Sequence, residues 1–352
     1  MSRINHKFLG GVLISLNYIF VIMISNFFLL ICMFLIHLYC FESFLIQPKP
    51  QEISLIDKET GINVKIIGCM HYNPFSVSST KDLVQYHGES YYNLNFIYGI
   101  VILYFNSKTL GCVVIESCSD RWEKILKRQP KGSFLRLLLD NEMQTAQEIC
   151  DYYQKPVVLG DQNISHTIFR LKETFTQTLK DVTNPVQGWM LVGKDVSSAI
   201  KDAFFIPESS VNNLKYLTFG NFIDINLIIN FPVSIIRYIL AILLKSPAVT
   251  PILFVFGYIL AYSNPSPVSN ELDLKDFVES IPIFILEFAL LGRTFLVALL
   301  NERNEILARN IRESCRNMQQ KGDSEINSGD LVCIAVLGMA HSNGVANILA
   351  NR

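Results

Sequence analysis

Two of the six histidines in the chain follow the same short pattern. "KIIGCMH" ends at His71 and "AVLGMAH" ends at His341, each an aliphatic run followed by Gly, two further residues and His. A strand that ends in Gly-x-x-His puts the imidazole at the carboxyl edge of a parallel sheet, where α/β proteins assemble their sites. The repetition predicts that both imidazoles face one crevice. Because a single GxxH is a weak motif, two histidines of unrelated role are the alternative.

Two carboxylates also follow strand-like apolar runs. Glu116 ends "VVIE" and Asp161 follows "VVLG". An acid placed directly after buried apolar residues is expensive to bury unless a cation or a metal balances its charge. The alternatives are that Glu116 is simply solvated at the strand end and that Asp161 caps the helix that starts near Ile164.

The helical part of the chain offers further charged candidates. "NERNE" carries Glu302 and Arg303 on a helix with one apolar face, and Arg170 lies on the helix that follows Asp161. An exposed face of mixed charge would be the usual reading of such a helix. Several strand and helix ends each finish in His, Glu, Asp or Arg, and this repetition favours a functional site over an exposed charged face.

The elements that must position these residues alternate between strand and helix. "VKIIG", "CVVIE", "PVVLG" and "LVCIAVLG" are short, rich in Val and Ile, and typical of buried parallel strands. Helix-like stretches lie between them, notably Arg121–Tyr153, with a cap at Asp140 or Asn141, and His166–Asp181. The sequence therefore predicts an α/β fold with a mainly parallel central sheet flanked by helices.

Apolar segments extend this domain. Residues 8–41 contain no Asp, Glu, Lys or Arg, and roughly 20 such residues suffice to span a bilayer. We expect a membrane helix there, with Arg3 and Lys7 weakly favouring a cytoplasmic N-terminus. Residues 222–263 predict an apolar helical hairpin that enters a membrane or lies on it, and residues 281–300 predict the first half of a long, mostly buried helix. The expected organisation is a membrane anchor and linker at 1–50 and one domain at 51–352.

Composition narrows the classes of function. Half of the residues are hydrophobic, 17% are charged, and the net charge is −1 without a basic cluster, so a nucleic-acid interface is not expected. The eight cysteines form no CxxC pair, which argues against a zinc cluster and for reduced, buried thiols.

Taken in order, these motifs resemble the TraB family, which takes in bacterial pheromone-shutdown proteins, eukaryotic TraB-domain proteins and the Tiki membrane metalloproteases. The resemblance runs from about Val64 to Ile348 and implies a fold related to erythromycin esterase and the ChaN-like proteins. Where the family often has Gly-Asp-Arg and Asp-Glu-Arg, this chain has Gln162 and Asn301 at the changed positions. The matching positions are Gly68, His71, Glu116, Arg121, Gly160, Asp161, Arg170, Glu302, Arg303, Gly338, His341 and Gly344.

The resemblance implies a membrane-attached, metal-dependent hydrolase with peptides as the expected substrates. His71, Glu116 and His341 would bind the metal, and mixed nitrogen and oxygen ligands suit zinc, manganese or cobalt.

The remaining matched residues would serve the reaction. Glu302 or Asp161 would accept the proton from a metal-activated water. Arg303 or Arg170 would hold an anionic group of the substrate or orient that base.

Two other classes of function stay open at this point. A TraB-like domain without activity could bind or sequester a peptide, or tether membranes, with the same crevice. A transporter would need a polar pathway through the apolar runs, where Arg237, Glu287 and Arg293 are the charges available.

Overall fold

The structure is a computed structural model, and the chain divides into two units, Met1–Pro48 and Lys49–Arg352. The predicted membrane helix at 8–41 and the second arm of the predicted hairpin, 246–263, lie outside the described residues. The backbone alone is described at 92–97, 100–105, 203–204, 245 and 321. The described residues are 51–89, 92–97, 100–105, 109–184, 186–204, 214–245, 285–286, 289–290, 292–321 and 330–352.

A five-stranded sheet forms the centre of the domain. Its order is β1-β2-β7-β5-β6, and only the β1–β2 pair is antiparallel. Strands β3 and β4 form a separate antiparallel pair. The strands are β1 Glu52–Ile56, β2 Asn63–Cys69, β3 Tyr92–Ile97, β4 Ile100–Phe105, β5 Thr109–Ile115, β6 Val157–Leu159 and β7 Leu331–Gly338.

Ten α-helices and one π-helical turn have both ends among the described residues, and residues 292–296 are helical as well. The π-helical turn, Val297–Asn301, runs directly into α9. The helices are α1 Pro74–Gly88, α2 Ser119–Arg128, α3 Phe134–Leu138, α4 Glu142–Tyr152, α5 Ile164–Val182, α6 Gln187–Phe204, α7 Phe219–Phe222, α8 Ile225–Lys245, α9 Glu302–Lys321 and α10 Met339–Asn351.

The central strand β7 shows how the layers are built. All eight of its residues are buried, as expected for a parallel strand covered on both faces. Cys333, Ala335 and Leu337 join the core that α9 and α10 cover, whereas Ile334 and Val336 join the core that α1, α2 and α4 cover. The predicted α/β fold with a mostly parallel sheet flanked by helices is thus confirmed.

The stretch Arg121–Tyr153, predicted as helix-like, contains three separate helices, α2, α3 and α4. Asn141 caps α4 by accepting a hydrogen bond from the backbone N–H of Gln144, as one of the two predicted caps would. For α5 the cap is Asn163, not Asp161. Asp161 is therefore left for other contacts.

Helix α8 is the first arm of the predicted apolar hairpin. Among the described residues, its segment Ile225–Leu244 is the one helix long and apolar enough to cross a membrane, and 11% of its most apolar window is buried. Length and composition of this kind are shared by core helices of soluble proteins.

The apolar run at 281–300 packs against the domain where it is described. Arg293 donates to Asp195 on α6 at 2.9 Å and also pairs with Asp181 on α5. A charge that costs several kcal/mol in a bilayer is thus balanced by two carboxylates. Ala289, Arg293, Thr294 and Ala298 are buried, whereas Ile285, Leu286 and Phe295 are 40–49% exposed, so the mostly buried helix leading into α9 stays a prediction.

The six described cysteines are free and buried, in agreement with the predicted reduced thiols. Cys112 on β5 and Cys333 on β7 are register partners, with their sulfur atoms 3.5 Å apart.

Arg312 on α9 anchors the β1–β2 turn. Its Nε donates to the fully buried Asp57 at 2.9 Å. We expect Arg312→Ala to lower the free energy of unfolding by about 3 kcal/mol, because it leaves a buried carboxylate unpaired. The exposed Arg316, which pairs with Glu59, is the matched control, and Arg316→Ala should cost below about 1 kcal/mol. Urea unfolding of the detergent-solubilised chain measures both, and equal effects would contradict the prediction.

Candidate functional site

Three neighbouring parallel strands deliver the predicted residues to one edge of the sheet. His71 follows β2, Glu116 follows β5, and His341 lies in the first turn of α10 after β7. A Cβ atom placed on Gly338, at the end of β7, would lie 3.2 Å from Glu116 Oε2, 3.3 Å from His71 Nε2 and 3.7 Å from His341 Cδ2. The three side chains therefore surround the space that the missing side chain of Gly338 leaves open.

The Glu116 carboxylate is the buried centre of this group, 5% exposed. Its Oε2 accepts from the backbone N–H of Gly338 at 2.6 Å, and its Oε1 accepts from Arg303 Nη2 at 2.5 Å. His341 Nε2 lies 3.5 Å from Oε1. Burial alone would raise the pKa of Glu116, but His341, Arg303 and His71, together with the Gly338 N–H, lower this pKa to about 2.

His71, in the loop after β2, is oriented by a carboxylate on helix α4. Its Nδ1 is 2.5 Å from Oε1 of Glu142, the first residue of α4, while its Nε2 faces Gly338. Burial alone would lower the pKa of His71, but the charge and the hydrogen bond of Glu142 outweigh it and raise the pKa to about 9. His71 is therefore an imidazolium at neutral pH, with an N–H directed into the site.

The backbone that presents His71 is strained. The next residue, Tyr72, has φ of +62°, in the left-handed region that non-glycine residues seldom adopt. Its N–H donates to Oε2 of Glu142 at 3.3 Å. Such a conformation persists where its surroundings over-determine it.

His341 is oriented in the same way by a neutral partner. Its Nδ1 lies 2.7 Å from Asn304 Oδ1 on α9, an acceptor that requires the proton on Nδ1 and leaves a lone pair on Nε2. Burial lowers the pKa of His341 below 6.5, against the opposing charge of Glu116. A Cβ atom at Gly344 would lie 2.2 Å from Asn304 Nδ2, so glycine at 344 makes room for this partner.

Arg303 links Glu116 to Asp161. Besides Glu116, it donates to Asp161 Oδ1 from Nε at 3.0 Å and to Asp161 Oδ2 from Nη2 at 2.7 Å. Arg121, at the start of α2, also pairs with Asp161. With both oxygens held by cations, Asp161 fits the role of positioning Arg303 better than that of a proton acceptor.

Glu302 and Arg170 form a separate ion pair between α9 and α5. Arg170 Nε donates to Glu302 Oε2 at 2.9 Å, and its Nη2 donates to Oε1. Within the described part of the chain, neither residue is hydrogen-bonded or ion-paired to His71, Glu116 or His341. The structure thus brings together His71, Glu116, Asp161, Arg303 and His341, and keeps the contacts of Arg170 and Glu302 apart from them.

The three predicted metal ligands fit a metal in part. Each imidazole has Nδ1 held by a further residue, as metal-bound histidines do, while Nε2 of His71 faces Gly338 and Nε2 of His341 lies beside Glu116. Glu116 fits less well, because both of its oxygens already accept from Arg303 and Gly338. Over the described residues, no three His, Cys, Asp or Glu side chains form a group that could hold a metal ion.

Sequence reasoning missed two residues of the site, Glu142 and Asn304. The predicted cap at Asp140 or Asn141 does place Glu142 at a helix start, but no pattern in the sequence connects that position with His71. Asn304 directly follows Glu302-Arg303, and a polar residue beside them was the available signal.

No protein-family model matches the chain. No curated protein matches it significantly either.

The low pKa of Glu116 predicts how the free energy of unfolding depends on pH in acid. A carboxylate whose pKa falls from 4.5 to about 2 on folding stabilises the fold above pH 4.5, and this stabilisation is lost as the pH falls from 4.5 to 2. We expect the acid-dependent loss to be smaller in Glu116→Gln than in wild type, by on the order of 2–3 kcal/mol. Thermal unfolding from pH 6 to pH 2.5 checks this, and parallel curves for the two proteins would contradict it.

Proposed function

We propose that residues 51–352 form a hydrolase in which His341 Nε2 accepts a proton from water and His71 Nε2 donates one to the leaving group. The observation that carries this proposal is the convergence of His71 Nε2, the Glu116 carboxylate and the ring of His341 around Gly338, with His341 Nε2 3.5 Å from Glu116 Oε1. Each imidazole has its Nδ1 held by a different partner, a carboxylate for His71 and an amide for His341. Geometry of this kind fixes the role of each ring before substrate arrives.

The two environments push the imidazole pKa values in opposite directions. The pKa of His71 is raised to about 9, and the pKa of His341 is lowered. Two titratable groups separated in this way are the usual signature of an acid and a base that act together at neutral pH. Glu116 Oε1, 3.5 Å from His341 Nε2, would stabilise the imidazolium that His341 becomes after it takes a proton.

The role of Arg303 in this mechanism is to hold the Glu116 carboxylate in place. Its guanidinium binds Glu116 and Asp161 together, so the carboxylate beside His341 cannot turn away. We assign Arg303 and Asp161 as positioning residues, and Arg170 with Glu302 as a contact between helices α5 and α9.

A metal-dependent form of the same hydrolase is the second candidate. It is favoured by the held Nδ1 atoms. His71, His341 and a remaining lone pair of Glu116 would be the ligands of zinc, manganese or cobalt, and these side chains would have to move closer together, because their present arrangement does not form a group that could hold the ion. A bound metal would lower the pKa of its water and polarise the substrate carbonyl. His71 and His341 would then act as ligands, with Glu142 and Asn304 orienting them.

The class of substrate and the membrane attachment come from the sequence. The resemblance to the TraB family supports peptides as substrates and a fold of the erythromycin esterase and ChaN-like kind. The apolar run at 8–41 and helix α8 support attachment to a membrane. A domain of this family that binds or sequesters a peptide without cleaving it, or tethers membranes, is the alternative.

The pH profile of activity tests the assignment of acid and base. With peptide and ester substrates, kcat/KM should rise as His341 loses its proton below pH 6.5 and fall as His71 loses its own near pH 9. Glu142→Gln should move the alkaline limb to lower pH and leave the acid limb in place. Glu148→Gln, on the same helix but paired with Arg136, is the matched control and should move neither limb. Activity that keeps rising above pH 9 would contradict the proposal.

Chelation separates the two candidate mechanisms. If the histidines act as acid and base, EDTA should leave the rate unchanged, and His71→Gln or His341→Gln should each lower kcat by about 100-fold or more. If the site is metal-dependent, EDTA should abolish activity, and manganese, cobalt or zinc should restore it in wild type only. Activity that survives both histidine substitutions would contradict the hydrolase proposal. A complete absence of turnover in the wild-type protein would favour the peptide-binding alternative.

Gly338→Ala tests whether the space at the end of β7 is the reaction site. The backbone of Gly338, at φ −60° and ψ 140°, is open to alanine, so the fold should be retained. The added methyl group would lie within 3.3 Å of Glu116 Oε2 and His71 Nε2 and should lower kcat/KM by about tenfold or more. Steady-state kinetics beside a thermal melt measure both effects, and full activity would show that the space is not used.

A further inference from the structure

Helix α8 combines a face that is hydrogen-bonded to the site with a second face whose apolar side chains are partly exposed among the described residues. Along the inner face, Ser234 Oγ donates to the backbone oxygen of His71 at 2.6 Å. Arg237 Nη1 lies 3.3 Å from the backbone oxygen of Tyr72 and 3.3 Å from that of Asp140. The helix therefore holds both the loop that carries His71 and Asp140, two residues before the helix start at Glu142.

These contacts clamp the two halves of the His71–Glu142 pair. Tyr72 is the residue in the left-handed conformation, and its carbonyl and N–H are held from opposite sides by Arg237 and Glu142. Ser234 fixes the carbonyl immediately before it. Helix α8 thus supplies the outside constraint that a strained backbone needs.

The outer face of α8 is an apolar stripe, which we call the α8 stripe. Its members recur every three or four positions, as residues on one side of a helix do. Each is between 37% and 50% exposed in the described part of the chain. The α8 stripe consists of Ile225, Ile228, Phe231, Ile235, Ile239 and Ile242.

The sequence supports a lipid bilayer as the surface that the α8 stripe contacts. The same chain carries an uncharged run at 8–41 that is long enough to span a membrane, and the residues after α8 stay apolar as far as Tyr262. The stripe also lies on the segment Ile225–Leu244, whose most apolar window has a mean hydropathy of 2.2. An exposed apolar surface of this length is typical of a site that contacts a membrane or a partner.

The inner contacts decide how the helix would meet that bilayer. Ser234 and Arg237 lie near the middle of α8, so a spanning orientation would carry them, His71 and Glu142 to the bilayer centre. Placing charged groups there costs several kcal/mol. An orientation parallel to the membrane leaves the inner face on the domain and puts only the α8 stripe into lipid.

We propose that α8 lies in the plane of the membrane surface, with the α8 stripe in the lipid, and that Ser234 and Arg237 act as positioning residues that hold His71 and Glu142 against it. This inference goes beyond the proposed hydrolase, because it assigns a lipid contact surface and a positioning helix. The proposal predicts that the His71–Glu142 pair is best ordered when the α8 stripe is in lipid.

Depth measurements test the orientation without any assay of activity. Ile228, Ile235 and Ile242 lie on one side of the helix and span about 21 Å along its axis. Each is replaced by Trp in the full chain, which is reconstituted in phospholipid vesicles brominated at shallow or deep acyl positions. The parent protein, with Trp122 and Trp189, gives the baseline.

We expect added quenching at all three positions, with the shallow lipid the better quencher at each. Quenching that is deepest at Ile235 and shallow at the two ends would mean a spanning helix and would overturn the proposal. The absence of added quenching would mean that protein covers the stripe, either residues 246–263 or a second copy, and would also overturn it.

Hydrogen exchange tests the clamp on the same vesicles. Ser234→Ala and Arg237→Ala should each speed amide exchange in the segment 70–73 by about three- to tenfold, and Arg237→Ala should also do so at 140–143. The exposed Ser198→Ala and Arg309→Ala are matched controls and should leave both segments unchanged. Unchanged exchange in the α8 variants would remove the positioning role. Since neither experiment measures turnover, their failure is separate from failure of the proposed hydrolase.

Discussion

The arrangement of the site depends on one buried contact, the guanidinium of Arg303 held between Glu116 and Asp161. Each carboxylate stands at the end of a different strand, and the arginine comes from the helix that covers the sheet. Charges buried so close to the core persist only when they are paired. The contact therefore fixes the position of α9 relative to two strand ends, and with it Asn304 and the ring of His341.

Much of the fold could be predicted from the sequence because buried parallel strands are continuous apolar runs. "LVCIAVLG" matches β7, and the residue directly after "CVVI" is the Glu116 of the site. The convergence of His71, Glu116 and His341 at Gly338 follows from strands that share one direction and one edge. The antiparallel β1 and the break between α2 and α3 were missed, although Pro130, Gly132 and Ser133 mark that break, whereas the predicted cap at Asp140 or Asn141 did indicate the start of α4.

The partners of the histidines could not be predicted for a physical reason. Glu142 reaches His71 only because α4 packs where the loop after β2 ends, and no local pattern encodes that distance. Asn304 likewise depends on the rotation of α9, which is set after the π-helical turn Val297–Asn301. Turns of this kind often lie beside functional sites and shift the face that later residues present.

The fit between Gly344 and Asn304 has a consequence for how this sequence can change over time. An added side chain at 344 would occupy the place of the amide that orients His341, so the two positions cannot vary independently. A descendant that gained a larger residue at 344 would have to carry a smaller one at 304 and find another acceptor for the imidazole. Related chains that keep the chemistry should therefore retain or exchange the two residues together.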